Sequence, residues 1–307
     1  MIRSLKDYIV IGLKGMAMGA ADVVPGVSGG TIAFISGIYE ELLGSISNFN
    51  FKLLKTLKND GIKAVWKQVN GSFLLALFIG IFISIISLAK SIKWLLENKP
   101  VLLWSFFFGL VLASIIYIGK QVKKWNFKII LFFILGIAFG YTITVMPSTN
   151  AADSNFLFLV FAGAIASCAM ILPGISGSYI LLLIGVYPIV MTAITTKDVK
   201  IIGAIGVGVI IGLLSFSKLL KWLFTYYKEQ MLIVLTGIML GSLNKVWPWK
   251  ETVSTYINSH GVTKPLVEQS ISPFSYTEDP QLLMAIVLAI VGFALILIME
   301  KLAVNKA

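Results

Sequence analysis

Two short turns with the pattern Pro-Gly-x-Ser-Gly interrupt apolar stretches of this chain. The first comprises Pro25, Gly26, Ser28 and Gly29, followed by Gly30 and Thr31. The second comprises Pro173, Gly174, Ser176 and Gly177, followed by Ser178. A turn of this kind leaves backbone N–H groups free at the start of the next half-helix. Its glycines let a ligand approach the backbone, and the positive end of the helix dipole points the same way. Serine and threonine hydroxyls add donors. The chemistry such a tip suits is anion binding, with phosphate the natural guest. The same residue types also serve close helix packing with nothing bound; two copies favour binding over packing alone.

Asp22 lies three residues before Pro25. An acid at membrane depth costs ~2.5–3.5 kcal/mol on insertion scales, which makes it a functional candidate by default. Three roles are open: capping exposed N–H groups, carrying a proton, or partnering a lysine. Met170 holds the matching place in the second copy, so a proton-carrying role would be asymmetric. Glu40 and Glu41 end the first segment. They read either as an interfacial pair flanking a helix or as a gate or proton site at a mouth. Tyr39 and Tyr187, like Trp94 and Trp222, read first as members of an interfacial aromatic belt.

The elements that carry these turns repeat. Residues 21–39 and 169–187 align at a constant offset, with identities at Pro25/Pro173, Gly26/Gly174, Ser28/Ser176, Gly29/Gly177, Gly37/Gly185 and Tyr39/Tyr187. A second ladder follows in the same order, from Gly80, Ser87, Lys90 and Trp94 to Gly208, Ser215, Lys218 and Trp222, ending at Gly109 and Gly237. Paired interruptions in corresponding positions of two halves point to a binding site between broken helices of a transporter.

Composition agrees with a membrane setting. Hydrophobic residues make up 58% of the chain and charged residues 13%, with mean hydropathy +0.92; soluble domains carry roughly 25% charged residues. The predicted fold is an all-α polytopic membrane protein of inverted repeats, each a re-entrant helical hairpin plus three transmembrane helices. The first repeat is 1–150, with its hairpin at about 8–46, an amphipathic basic linker over 51–69, and spans near 73–89, 101–119 and 129–145. The second is 151–307, with its hairpin at about 156–195, spans near 201–217, 231–246 and 282–299, and a polar outer loop over 248–280. The hairpin reading rests on Lys14 and Glu40, which flank the first turn at distances that each span about half of a ~30 Å core. Three spans per half make the two halves insert in opposite orientation.

The net charge of +11 is no nucleic-acid signal, since the lysines sit in short loops between apolar spans. There they set orientation and touch lipid head groups. Counting them by loop puts most on the face that holds both termini, which is therefore expected to be cytoplasmic. Residues 1–14 lack a signal-peptide cleavage site, so insertion through the first apolar segments is the simpler reading. One cysteine (Cys168) and one histidine (His260) exclude an internal disulfide and a Cys/His metal cluster. No metal or cofactor is expected.

The phrases GMAMGAADVVPGVSGGTIAFISGIYEELL and PGISGSYILLLIGVY resemble those of the polyprenyl-phosphate transporter family called PopT, formerly a domain-of-unknown-function family numbered 368. The resemblance covers nearly the whole chain. It implies return of undecaprenyl phosphate, the lipid carrier of cell-wall precursors, from the outer to the inner leaflet of the bacterial cytoplasmic membrane. It also implies that the family's motif falls on Asp22, Pro25, Gly26, Ser28, Gly29, Gly30 and Thr31, with Pro173, Gly174, Ser176 and Gly177 in the second copy. A phosphate head in a polar cradle, its prenyl tail left in lipid, agrees in kind with the two tips. An acid such as Asp22 could protonate a phosphate monoester, whose second pKa is ~6, and so permit proton-coupled transport.

Two other classes compete. A secondary transporter of a small soluble anion would use the same tips without a lateral opening for a tail. A membrane lipid phosphatase would need a histidine nucleophile with Arg and His partners, which one histidine and one arginine (Arg3) do not supply. The chain is therefore expected not to be an enzyme.

Overall fold

The computed structural model describes residues 3–24, 27–122, 124–146, 155–257 and 263–304. Among these, helices dominate. The chain opens with α1 (Leu5–Val23), α2 (Gly29–Ile35), α3 (Tyr39–Ser47) and α4 (Lys52–Gln68). It continues through α5 (Gly71–Asn98), α6 (Pro100–Gly119) and α7 (Phe127–Val145). The same order then recurs: α8 (Phe156–Ile171), α9 (Gly177–Leu183), α10 (Tyr187–Thr196), α11 (Val199–Tyr226), α12 (Lys228–Gly241) and, after a β-hairpin, α13 (Leu282–Val304). Helices α5, α6, α7 and α11 are each long and apolar enough to cross a membrane. The expected span over 231–246 is a shorter α12 continued by a 3-10 turn, Ser242–Val246. The protein is a multi-pass membrane protein.

Four helix pairs form the frame: α1 with α5, α8 with α11, α6 with α13, and α7 with α12. Small residues set their spacing. Gly80 meets the backbone of Gly12, Gly208 that of Val160, Gly109 that of Ala289, and Gly241 that of Ile137, so closely that a Cβ would overlap a carbonyl in each case. Apolar side chains have no hydrophobic drive to associate within lipid. Close backbone approach is what lets such helices pack.

After each turn the chain comes back beside the start of the helix that precedes it. Arg3, just before α1, reaches Glu41 in α3, and Phe158 at the start of α8 packs on the same apolar cluster as Ile189 and Val190 of α10. The returning arm is not one half-helix, however. It breaks at Gly37 and Gly185, where φ is +73° and +79°. In both places the glycine N–H bonds the carbonyl three residues back, to Phe34 and Leu182. The next N–H bonds five residues back, from Ile38 to Ala33 and from Val186 to Leu181. This is the Schellman arrangement, and the left-handed position calls for glycine. In the second copy the two pieces meet at 109°.

The basic linker is helical as expected, with no buried residue and a break at Gly61. The polar stretch 248–280 is more ordered than a loop. Strands β1 (Lys250–Ile257) and β2 (Thr263–Ser270) pair antiparallel with a register shift near Ser254. Thr252, Val253, Thr255 and Tyr256 are β-favouring types. Pro265 fits in β2 because both strands of a two-stranded ribbon are edges.

Candidate functional site

The two tips meet. In the first, α2 starts at Gly29, and its opening N–H groups already have partners. The Gly29 N–H donates to Asp22 Oδ1 at 2.6 Å, and the Gly30 N–H donates to Ser28 Oγ at 3.1 Å. The chain can fold back this tightly because residue 29 is glycine: a Cβ there would overlap the Asp22 carboxylate. Of the three roles open to Asp22, capping is the one its geometry displays. All seven residues of α2 are buried.

Two hydrogen bonds cross to the second tip. Ser28 Oγ donates to the Met170 carbonyl at 3.1 Å. The Gly174 N–H donates to Thr31 Oγ1 at 2.9 Å. Gly30 packs so near the carbonyls of Met170 and Ile171 that a Cβ would overlap both. Ser28 and Thr31 are nearly inaccessible, at 2% and 1% exposure. Their hydroxyls thus join the two tips.

The second tip turns through Leu172–Ile175, with Pro173 in the second position and Gly174 in the third at φ +87°. That is the Pro-Gly corner of a type II turn. Here the helix start is left differently. Ser176 makes no side-chain cap to α9; its hydroxyl pairs with that of Ser178 at 2.8 Å. Ser178 is exposed, and Gly177 packs against Ala166 of α8. Pro25 and Gly26 lie outside the described residues.

Glu40 and Glu41 are not at the tips. They sit at one end of the bundle in a cluster that joins the two halves. Glu41 accepts from Arg3 and from Asn70, both at 2.6 Å. Glu40 pairs with Lys228 of α12 at 2.6 Å. Beneath them Tyr39 is buried rather than in an aromatic belt, edge-on to Phe34 and to Phe224 of α11. Its hydroxyl finds no hydrogen-bond partner among the described residues. Trp94 and Trp222 are exposed, as a belt position requires.

Several further polar contacts hold the tip-bearing segments, and of these residues only Lys14 carried a sequence signal, as a flank of the first turn. Lys14 donates to the Ser36 carbonyl at 2.6 Å, tying α1 to the end of α2. Tyr179 donates to the Thr144 carbonyl at the end of α7, at 3.1 Å. Ser242 packs against Gly174. Tyr179 and Ser242 are single residues in apolar or loop contexts, and only the pairing of distant helices brings them beside their partners. Among the described residues no group of three or more His, Cys, Asp or Glu is arranged to hold a metal ion.

Comparison with known proteins bears on what such a pair of tips serves. Residues 18–264 match the undecaprenyl phosphate translocase-like family. The polyprenyl-phosphate transporter of Vibrio cholerae serotype O1 is 50% identical over 301 residues, 97% of each chain. The polyprenyl-phosphate transporter of Staphylococcus aureus is 34% identical over 253 residues, covering 77% of this chain and 85% of the relative. No solved structure matches. With most of its length, both tips included, inside the match, this chain belongs to the undecaprenyl phosphate translocase-like family.

Proposed function

We propose that the protein is a flippase that returns undecaprenyl phosphate from the outer to the inner leaflet of a bacterial cytoplasmic membrane. The observation that carries this reading is the direct contact of the two tips through Ser28, Thr31, Met170 and Gly174, in a chain whose relatives are named for polyprenyl-phosphate transport. The two repeats, 1–150 and 151–307, insert in opposite orientation, with both termini and α4 on the cytoplasmic side. The phosphate head is held between the tips by Asp22, Pro25, Gly26, Ser28, Gly29, Gly30 and Thr31 together with Pro173, Gly174, Ser176, Gly177 and Ser178. The prenyl tail stays in lipid.

Asp22 couples the step to a proton. Its carboxylate occupies the Gly29 N–H, a donor that a phosphate oxygen would otherwise take. Protonation weakens that charge-assisted bond and releases the donor to the incoming head. Loss of the proton restores the cap and expels the head. The Arg3–Glu41–Asn70 and Glu40–Lys228 contacts hold the cytoplasmic end shut while the head is taken up from the other side. Opening that end exchanges which hairpin is enclosed.

The test is translocation of labelled polyprenyl phosphate by the full-length protein in proteoliposomes, run beside uptake of a soluble anion. Lipid translocation by wild type, lost in Asp22→Asn, supports the reading. Anion uptake without lipid translocation overturns it.

A further inference from the structure

Beyond the tips, at the end of the bundle that carries the β-hairpin, two lysines are held against aromatic rings. Lys250, the first residue of β1, has its side chain only 8% exposed, and its Nζ lies 3.6 Å from the centroid of Trp104 in α6. Lys245, in the 3-10 turn after α12, places its Nζ 4.1 Å from the centroid of Tyr179 in α9. Both positions are fixed from outside. Trp247 Nε1 donates to the Ile271 carbonyl, Trp249 Nε1 to the Pro280 carbonyl, and Tyr179 to the Thr144 carbonyl.

The charges in this cluster do not balance. Glu268 is the one carboxylate within ion-pair distance of either lysine among the described residues, and it stands 3.8 Å from Lys250. Lys245 has its ring contact and no ion pair there. The two ammonium groups repel each other: burial lowers the Lys250 pKa to about 8, Glu268 opposes that shift and Lys245 adds to it. Buried cations are ordinarily matched by anions, and here two share one carboxylate. One further negative charge would balance the set, and a phosphate monoester near neutral pH carries one to two. Lysine meets phosphate as a point charge and needs no planar fork geometry.

The cluster also adjoins the second tip. Ser242, three residues before Lys245, packs against Gly174, and Tyr179 follows Gly177 by two residues. Accordingly, we infer that Lys245 and Lys250 form a docking site for a phosphate monoester, which receives the head group before it passes to the tips. The inference rests on the transport reading for its place in the route. Its binding test is separate from translocation.

The test uses full-length protein in nanodiscs, titrated with a short-chain polyprenyl monophosphate, with the matching uncharged polyprenol, and with inorganic phosphate. Binding is read by tryptophan fluorescence, with Trp104→Phe to assign the signal. Lys245→Gln and Lys250→Gln should each weaken phosphate binding about tenfold, the loss of one charge contact (~1.4 kcal/mol), and leave polyprenol binding unchanged. Lys250→Arg should retain most of the affinity. Because Lys250→Gln could disturb β1, Lys245→Gln with an unchanged melting temperature is the deciding variant. Preference for the polyprenyl monophosphate assigns the site to the lipid head; equal binding of inorganic phosphate assigns it to free phosphate. Wild-type phosphate affinity in Lys245→Gln and Lys250→Gln overturns the site and makes the lysines clamps for the hairpin. A wild type that binds without translocating overturns the transport reading and leaves the docking site standing.

Discussion

The first tip is closed upon itself and the second is not. In the first, a carboxylate from the preceding helix and a serine hydroxyl from the turn take the opening N–H groups of α2, and all of α2 is buried. In the second, Met170 replaces Asp22, the serine hydroxyls pair with each other, and only Ile180 of α9 is buried. The contrast extends along the hairpins. Tyr39 is buried against α11, whereas Tyr187 is partly exposed and α10 lies against α11 of its own half. Near-identical motifs thus give one occupied and one open helix start. A helix N-terminus binds an external anion only to the extent that its own chain has not already supplied one.

Several substitutions would break or sharpen this contrast. The largest effect is expected from Asp22→Asn. Loss of a charge-assisted bond worth ~1.5–3 kcal/mol should reduce carrier recycling by about tenfold or more. The readout is growth sensitivity to a drug that sequesters undecaprenyl phosphate outside the cell, in a strain lacking redundant transporters. Wild-type sensitivity at normal expression would remove Asp22 from the mechanism. Gly30→Ala comes next, because its Cβ would strike the Met170 and Ile171 carbonyls. Overpacking of ~1–3 kcal/mol should lower the melting temperature and separate the tips. Gly44→Ala, with open space around it, is the matched control and should do neither.

Ser176→Ala should weaken phosphate binding severalfold, the scale of one neutral hydrogen bond of ~1 kcal/mol. Ser28→Ala should in addition loosen the tip contact, since Ser28 also bonds Met170. Equal effects on stability would contradict the division of labour between the tips. Glu41→Gln is expected to affect transport less than the tip variants, because the Glu40–Lys228 pair still holds that end and a partly exposed pair contributes ~0.2–1 kcal/mol. Tyr39→Phe should leave stability unchanged or raise it slightly, because the buried hydroxyl has no partner among the described residues. A clear loss would mean that the hydroxyl is used in another conformation.

A pH experiment probes the other end of the bundle. The Lys250 pKa falls from 10.5 to about 8 through burial. Between those values the unfolded chain binds more protons than the folded one, so stability of the docked β-hairpin should rise with pH across that window. The gain should vanish in Lys250→Met. Hydrogen exchange of the β1 amides would show it.

Much of this architecture is written locally. The duplicated Pro-Gly-x-Ser-Gly turns, the glycines at 37 and 185 and the apolar runs of α5 and α11 depend on residue type and spacing. Chain geometry at short range therefore determines them. Strands β1 and β2 escaped that reading because prolines and polar residues hid their weak alternation. What spacing could not decide is which donors remain free. Whether Ser28 spends its hydroxyl on Met170 depends on helices far apart in sequence meeting within hydrogen-bond distance, and whether Asp22 caps Gly29, or whether Lys245 and Lys250 share Glu268, depends on how closely each turn folds back. Hydrogen bonds and buried charges are settled by ångström-scale placement across the fold, and only the packed structure supplies it.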